Sequence, residues 1–300
     1  MEESASQSTL SEEHQQDLNA LIKQVNASDI SSVRSTLTEI ISILNRSSAS
    51  AKDLKDIIEL DPPLSARILK RANSAFYASP REFTEIQEAI VWVGFNEVKE
   101  LALSQTVCEL FEKTEQFQAY SRKLLWRNSV AVALFGKYIY RREFRQRGEN
   151  SYAAGLLHNI GIIIEDQFLH DGFTQVLHQS AETQSDLCSV EKKVYGFDHT
   201  DIGQAVGRSW RFPAELTRAI VYHHDPFGPH SVENGRLIIT LALADCVCRE
   251  RGIGFSDART SDQELFEQCL GRVGLDRLAL DLIGDAVEEE IEKMESSGWL

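Results

Sequence analysis

Six side chains in the second half of this chain could bind a metal: His158, Asn159, His199, His223, His224 and Asp245. A neutral imidazole is a good metal ligand, and a carboxylate directly after it could bridge two ions. Here the residue after His158 is an amide, Asn159. The question is whether a metal-dependent hydrolase centre survives or only its scaffold. A binuclear centre would lower the pKa of a bound water toward ~7 and clamp phosphoryl oxygens. Each residue also has a plainer role. A histidine near a helix end often hydrogen-bonds a backbone carbonyl. Asp245 has Arg249 four residues on, the spacing of a helical ion pair. His223 and His224 point about 100° apart on a helix, so both can face one site only from a helix end. His14, His170, His178 and His230 have no comparable surroundings and are given no role.

Histidines and carboxylates projecting from facing helices are how a bundle builds a metal site, so the elements come next. The run from Ala153 through His158 to Gly161 reads as the last turns of a buried helix, with Gly161 as a left-handed stop. Leu18, Leu21, Ile22 and Val25, then Leu37, Ile40, Ile41 and Leu44, repeat at helical spacing. Ser50 and Asp53 form a capping signal, Asp61-Pro62-Pro63 ends one helix and starts another, and Thr84 and Gln87 form a second capping signal. A long helix is expected from about Phe117 to Arg142. Further helices are expected at 162–168, 173–179, 187–195 and 199–210, from Pro213 to His224, at 232–251, and twice in the acidic tail. No run of alternating β-branched residues bounded by turn pairs predicts a strand. The fold class is all-α, in two packed helical bundles. The expected boundaries are a disordered stretch 1–15, a first bundle 16–115, a second 116–254, and acidic terminal helices 255–300 with their charges in water.

Composition narrows the partners. The formal charge of -15 and pI near 5.0 argue against non-specific binding to nucleic acid or an anionic membrane. Only the arginines at 141, 142, 145 and 147, with Arg122, Lys123 and Arg127, keep a phosphate-binding reading in view. The start Met1-Glu2-Glu3-Ser4 does not read as a signal peptide, and no uncharged apolar run reaches the ~18 residues of a spanning helix. Five scattered cysteines read as reduced thiols, mostly core, of a cytoplasmic protein.

From about Leu37 to Arg251 the chain resembles the HDOD family, a branch of the HD-domain metal-dependent phosphohydrolases. The first half carries Asp61-Pro62-Pro63-Leu64, Leu69, the run Ala72-Asn73-Ser74-Ala75-Phe76-Tyr77, then Ala89-Ile90 and Gly94. The second carries Trp126-Arg127-Asn128-Ser129, the run Ala154–Gly161, Phe197–Gly203, Ala219–His224 and Ala244-Asp245. The resemblance implies that Asn128 stands where catalytic relatives have a first histidine ligand, and that their His-Asp pair is here His158-Asn159. His199, His223, His224 and Asp245 match ligand-type positions. The glycine-tyrosine-proline loop of the cyclic-di-GMP phosphodiesterase branch is not apparent after His224.

Two departures thus fall on the metal centre. Losing second-shell support alone costs about 10–100-fold in affinity or activity, and losing ligands costs more. The expectation is a non-catalytic signal-transduction regulator with a degenerate site. It would act through a signalling protein partner, or through a nucleotide bound between the halves. Asn73 is read first as a helix cap. The cofactor expectation is none, or one weakly held iron, manganese or zinc ion on His158, His199 and Asp245 with a histidine of the 223–224 pair. The alternative is a phosphohydrolase or phosphodiesterase with an altered ligand set.

Overall fold

Capping side chains and apolar periodicity fix the first half. In the computed structural model, which describes residues 10–28, 30–46, 48–112, 116–117, 120–228, 235–256 and 263–296, helix α1 spans Glu12–Ala27. It starts inside the stretch expected to be disordered, because the Ser11 hydroxyl accepts the His14 N–H and two glutamates fill the first turn. Residues 1–9 of that stretch lie outside the described residues. Helix α1 buries Leu18, Leu21, Ile22 and Val25, the face its spacing predicts. Helices α2 (Ile30–Asn45), α3 (Ala51–Glu59) and α4 (Pro62–Ala72) follow. Ser50 and Asp53 close a reciprocal capping box, and Asp61 accepts from Leu64 N–H. Asn73 caps α4, and its amide also clamps the Phe83 backbone, donating 2.8 Å to the carbonyl and accepting 2.7 Å from the N–H. Helices α5 (Ile86–Val93) and α6 (Phe95–Cys108) meet at Gly94, whose φ of 101° suits glycine. The expected Thr84–Gln87 cap does not form. The cap position is Glu85, without a side-chain bond, and Glu88 rather than Gln87 accepts from Thr84 N–H.

The second half corrects two expectations. Gln116–Phe117 (β1) pairs antiparallel with Tyr120–Ser121 (β2), where no strand was expected. The long helix α7 therefore begins only at Arg122, where the Ser121 hydroxyl accepts from Leu124 N–H, and runs to Glu143. Helix α8 (Glu149–Leu157) ends before His158, and α9 (Ile160–Phe168) starts directly after Asn159. Gly161 is thus not a left-handed stop: it lies inside α9, and a Cβ there would collide with the His199 carbonyl. Its small size, not its conformation, is what the fold uses. The remaining helices are α10 (His170–Thr183), α11 (Leu187–Tyr195), α12 (His199–Ser209), α13 (Ala214–Tyr222), α14 (Gly235–Glu250), α15 (Gln263–Val273) and α16 (Arg277–Ser296). Pro213 is the cap of α13 rather than its first residue. Residues 232–234 of the expected 232–251 helix, and His230, lie outside the described residues.

One apolar core runs from Leu18 to Met294 through both halves. Its axis is α7, whose residues Val130–Phe135 are fully shielded, and Gly155 lets α8 lie directly on the α7 backbone at Ala133. Helix α1 reaches across to the second half. Asn26 donates to the Ser209 hydroxyl and accepts from the Trp210 indole N–H at 3.1 Å. The acidic tail is not simply bathed in water. Arg251 binds Asp281, Asp285 and Glu288, Arg127 pairs with Glu295, and Tyr138 donates to Glu290. Among the described residues no helix is long and apolar enough to cross a membrane.

Candidate metal centre

The four histidines singled out in the sequence come together. His158 and His223 each follow the C-terminus of a helix, α8 and α13, and His199 opens α12. The His158 and His223 rings are 5.1 Å apart, His223 and His199 5.8 Å, and His223 and His224 4.0 Å. Asp245, in α14, places Oδ1 3.9 Å from His158 Nε2. It also takes the expected ion pair, at 2.9 Å from Arg249.

Local bonding fixes which nitrogen each ring presents. His158 Nδ1 lies 2.7 Å from the Gly155 carbonyl, and His223 Nδ1 lies 2.7 Å from that of Ile220. A carbonyl only accepts, so Nδ1 carries the proton and Nε2 keeps the lone pair. The plainer reading of a helix-end histidine is therefore correct for both, and it also leaves the ligating atom aimed at the cluster. His199 is held differently. One oxygen of Glu191 accepts from its backbone N–H at 2.9 Å and its Nδ1 at 2.8 Å. Burial opposes a charged imidazole here, but Cys188 and Glu191 override it and raise the His199 pKa well above the ordinary value. Its Nε2 faces His224 Nε2 at 3.1 Å.

Three participants were not anticipated. Cys188, read as core, groups with His199 and His224, all donor atoms lying within 4.8 Å of one another. Glu191 and Glu165 are both fully buried behind His199. Burial and the adjacent Glu191 carboxylate push the Glu165 pKa well above the usual carboxylate range. The available signal was a carboxylate inside the apolar run Ile162-Ile163-Ile164-Glu165.

The amides mark the limit of the donor set. Asn128 and Asn159 are both 2% exposed, and neither Oδ1 has a hydrogen-bond partner among the described residues. A buried carbonyl without a donor suits a neighbouring cation or water. Neither amide supplies an anion that could bridge two cations. Among the described residues, the ligating atoms that lie within 4.8 Å of one another are those of Cys188, His199 and His224, with Glu191 as the carboxylate that orients the His199 imidazole. With His158, His223 and Asp245 alongside, this donor set suits one divalent ion better than two. Three of the histidines are enclosed, His158 and His199 at 0% exposed and His223 at 2%, whereas His224 and Cys188 are half-buried. A catalytic metal keeps an open position for water and substrate.

The arginines considered for phosphate binding are largely engaged elsewhere. Arg122 is buried on Asp166, Arg127 pairs with Glu295, Arg141 with Glu100 and Arg142 with Glu143.

The sequence model of the HDOD domain matches residues 30–226. A crystal structure of an HDOD domain protein of unknown function from Geobacter sulfurreducens superimposes with a TM-score of 0.71 at 25% identity, covering 88% of this chain and 90% of that one. A protein from Marinobacter aquaeolei VT8, provisionally named for signal transduction, gives 0.70 at 23% identity over 95% of this chain and 64% of its own. Another from Shewanella amazonensis SB2B, provisionally named a phosphohydrolase, gives 0.65 at 23% identity over 93% and 96%. An uncharacterized protein of Treponema pallidum is 25% identical over 239 residues, 79% of this chain; the chain spans 44% of that relative's length.

Proposed function

Since the chain belongs to the HDOD family, we propose that it is a non-catalytic signal-transduction regulator that works through a protein partner in the cytoplasm. The observation that carries this reading is the pair of buried amides, Asn128 and Asn159, whose Oδ1 atoms have no hydrogen-bond partner among the described residues and which stand at the positions where the family resemblance implies a histidine and a carboxylate ligand. A neutral amide cannot hold a second metal as a bridging carboxylate does, so the nucleophilic water of a binuclear centre is not generated. One divalent ion on His158, His199, His223 and Asp245 would tie α8, α12, α13 and α14 together. When bound, it would supply structural cross-linking and only weak Lewis-acid chemistry. A cyclic-dinucleotide pathway is the first in which to seek the partner.

The second reading, a phosphodiesterase with an altered ligand set, keeps support from the Glu191–His199 pair, since an imidazole held by a buried carboxylate is a common arrangement around catalytic metals. The test is turnover of bis(p-nitrophenyl) phosphate by protein loaded with manganese, iron or zinc. The regulator reading expects no turnover above that of the His199→Ala variant. Turnover that His199→Ala abolishes would establish the enzyme instead.

A further inference from the structure

Helices α12 and α13 turn a second surface away from the histidines. Between them lies a groove of about 350 Å3, within the ~300–1,000 Å3 range of small-molecule sites. Arg208, Arg211 and Arg218 line it, with Thr217, Phe212 and Tyr222. Three guanidinium groups on one small groove are unusual in a chain of net charge -15. Among the described residues neither Arg208 nor Arg211 forms an ion pair, whereas Arg122, Arg127, Arg141, Arg142 and Arg251 all do. The carboxylate nearest in sequence, Glu215, faces the other way and accepts from Asn150 at 3.3 Å. The like charges of Arg208 and Arg211 repel one another, which a bound anion would relieve.

Two details separate this from an ordinary helix end. The dipole of α12 favours cations at its C-terminus, which accounts for Arg208. It does not account for Arg218, which lies on a different helix and faces the same space. Arg211 is the second detail. Arg211 N–H bonds the Arg208 carbonyl at 3.2 Å and Phe212 N–H bonds the Gly207 carbonyl at 2.8 Å, the two bonds of a Schellman cap. Arg211 is the left-handed residue of that cap, with φ 58°. Glycine is the usual occupant, so an arginine there accepts a backbone penalty while placing a guanidinium at the groove. The wall behind it is firm, since Trp210 is tied to Asn26 and Thr38 donates to the Trp210 carbonyl.

We propose that this groove binds a small phosphorylated molecule, with Arg208, Arg211 and Arg218 on the phosphate and Tyr222 and Phe212 against its apolar or ring portion. Planar guanidinium groups match phosphate oxygens in a bidentate way, and an aromatic side chain offers a face for a base. The groove ends at Tyr222, one residue before His223 and His224. An occupant would therefore press on the segment that carries the inner cluster. The site stands independently of how many metals the histidines hold.

Isothermal titration of the full chain with pyrophosphate, ADP and adenosine tests it. Pyrophosphate and ADP are expected to bind with Kd at or below about 1 mM, and adenosine more weakly than ADP. Arg208→Ala and Arg211→Gly should each weaken pyrophosphate by about tenfold or more, the loss of one charge-assisted contact. Arg211→Gly should do so while its melting temperature stays level or rises, since glycine suits the cap; that separates lost binding from lost folding. Absence of pyrophosphate binding at 10 mM (roughly tenfold above a millimolar Kd), or affinity unchanged in both variants, would overturn the proposal. So would binding lost in His199→Ala but kept in the arginine variants, because the anion would then sit at the histidine cluster.

Discussion

The inner end and the outer groove of the α12–α13 pair treat their charges in opposite ways. Inside, His199 rests on Glu191, Asp198 receives the Thr200 and Asp201 N–H groups and Lys192, and Asp245 is tied to Arg249. Outside, Arg208 and Arg211, which form no ion pair among the described residues, share a groove with Arg218. In the inner region the charged groups named are mostly enclosed and each is bonded to a partner. The outer region keeps its charge accessible, as a binding surface must. On the proposed reading, residues that resemble catalytic ligands serve packing, while the exposed charge of the same two helices lies in the groove between them.

The sharpest break of that comparison comes from the tight contact beneath the inner cluster. Gly161→Ala would drive a methyl into the His199 carbonyl. A loss of about 3 kcal/mol or more in urea denaturation is expected, since the clash is with backbone and cannot be relieved by a side-chain rotation. Near wild-type stability would mean that α9 and the start of α12 are not held in close contact.

Asp198 tests the charge balance. Burial opposes its ionisation, but His199, Lys192 and Thr200 outweigh it and hold its pKa down to about 2. A depressed folded-state pKa stabilises above the unfolded value and loses that contribution as pH falls through the folded one. Asp198→Asn should therefore cost roughly 2 kcal/mol at pH 7. The gap from wild type should close between about pH 4 and pH 2. A pH-independent difference would remove the electrostatic explanation.

The outer surface should respond least and in the other direction. Arg211→Gly is expected to stabilise by about 0.5–1 kcal/mol, the relief of a left-handed non-glycine residue. Measurable destabilisation would show that the guanidinium supports the fold rather than a ligand.

Much of the scaffold was legible because local rules decide it. The Ser50–Asp53 box, the Asp61-Pro62 start and the 187–195 helix follow from capping chemistry and spacing. Gly161 was misread because a glycine near a helix end signals a left-handed stop in sequence, while here a tertiary neighbour, the His199 carbonyl, dictates it. The histidines at 158, 199, 223 and 224 could be named in advance from their resemblance to ligand positions. Cys188 and Glu191 could not, since neither repeats a pattern and only the packing of α11 onto α12 brings them to His199. Arg208, Arg211 and Arg218 are spaced along the sequence, and their convergence depends on the packing of α13 against α12. The clustered arginines near 141 are the stronger signal in sequence, yet Arg141 and Arg142 pair with glutamates.

The most direct measurement is metal stoichiometry by inductively coupled plasma mass spectrometry, on protein purified anaerobically and loaded in turn with iron, manganese and zinc. The account predicts no more than one ion per chain, lost in His158→Ala. It also predicts that a second ion appears only when carboxylate and imidazole are restored together in Asn159→Asp, Asn128→His protein. Two ions per chain in the unaltered protein would contradict it.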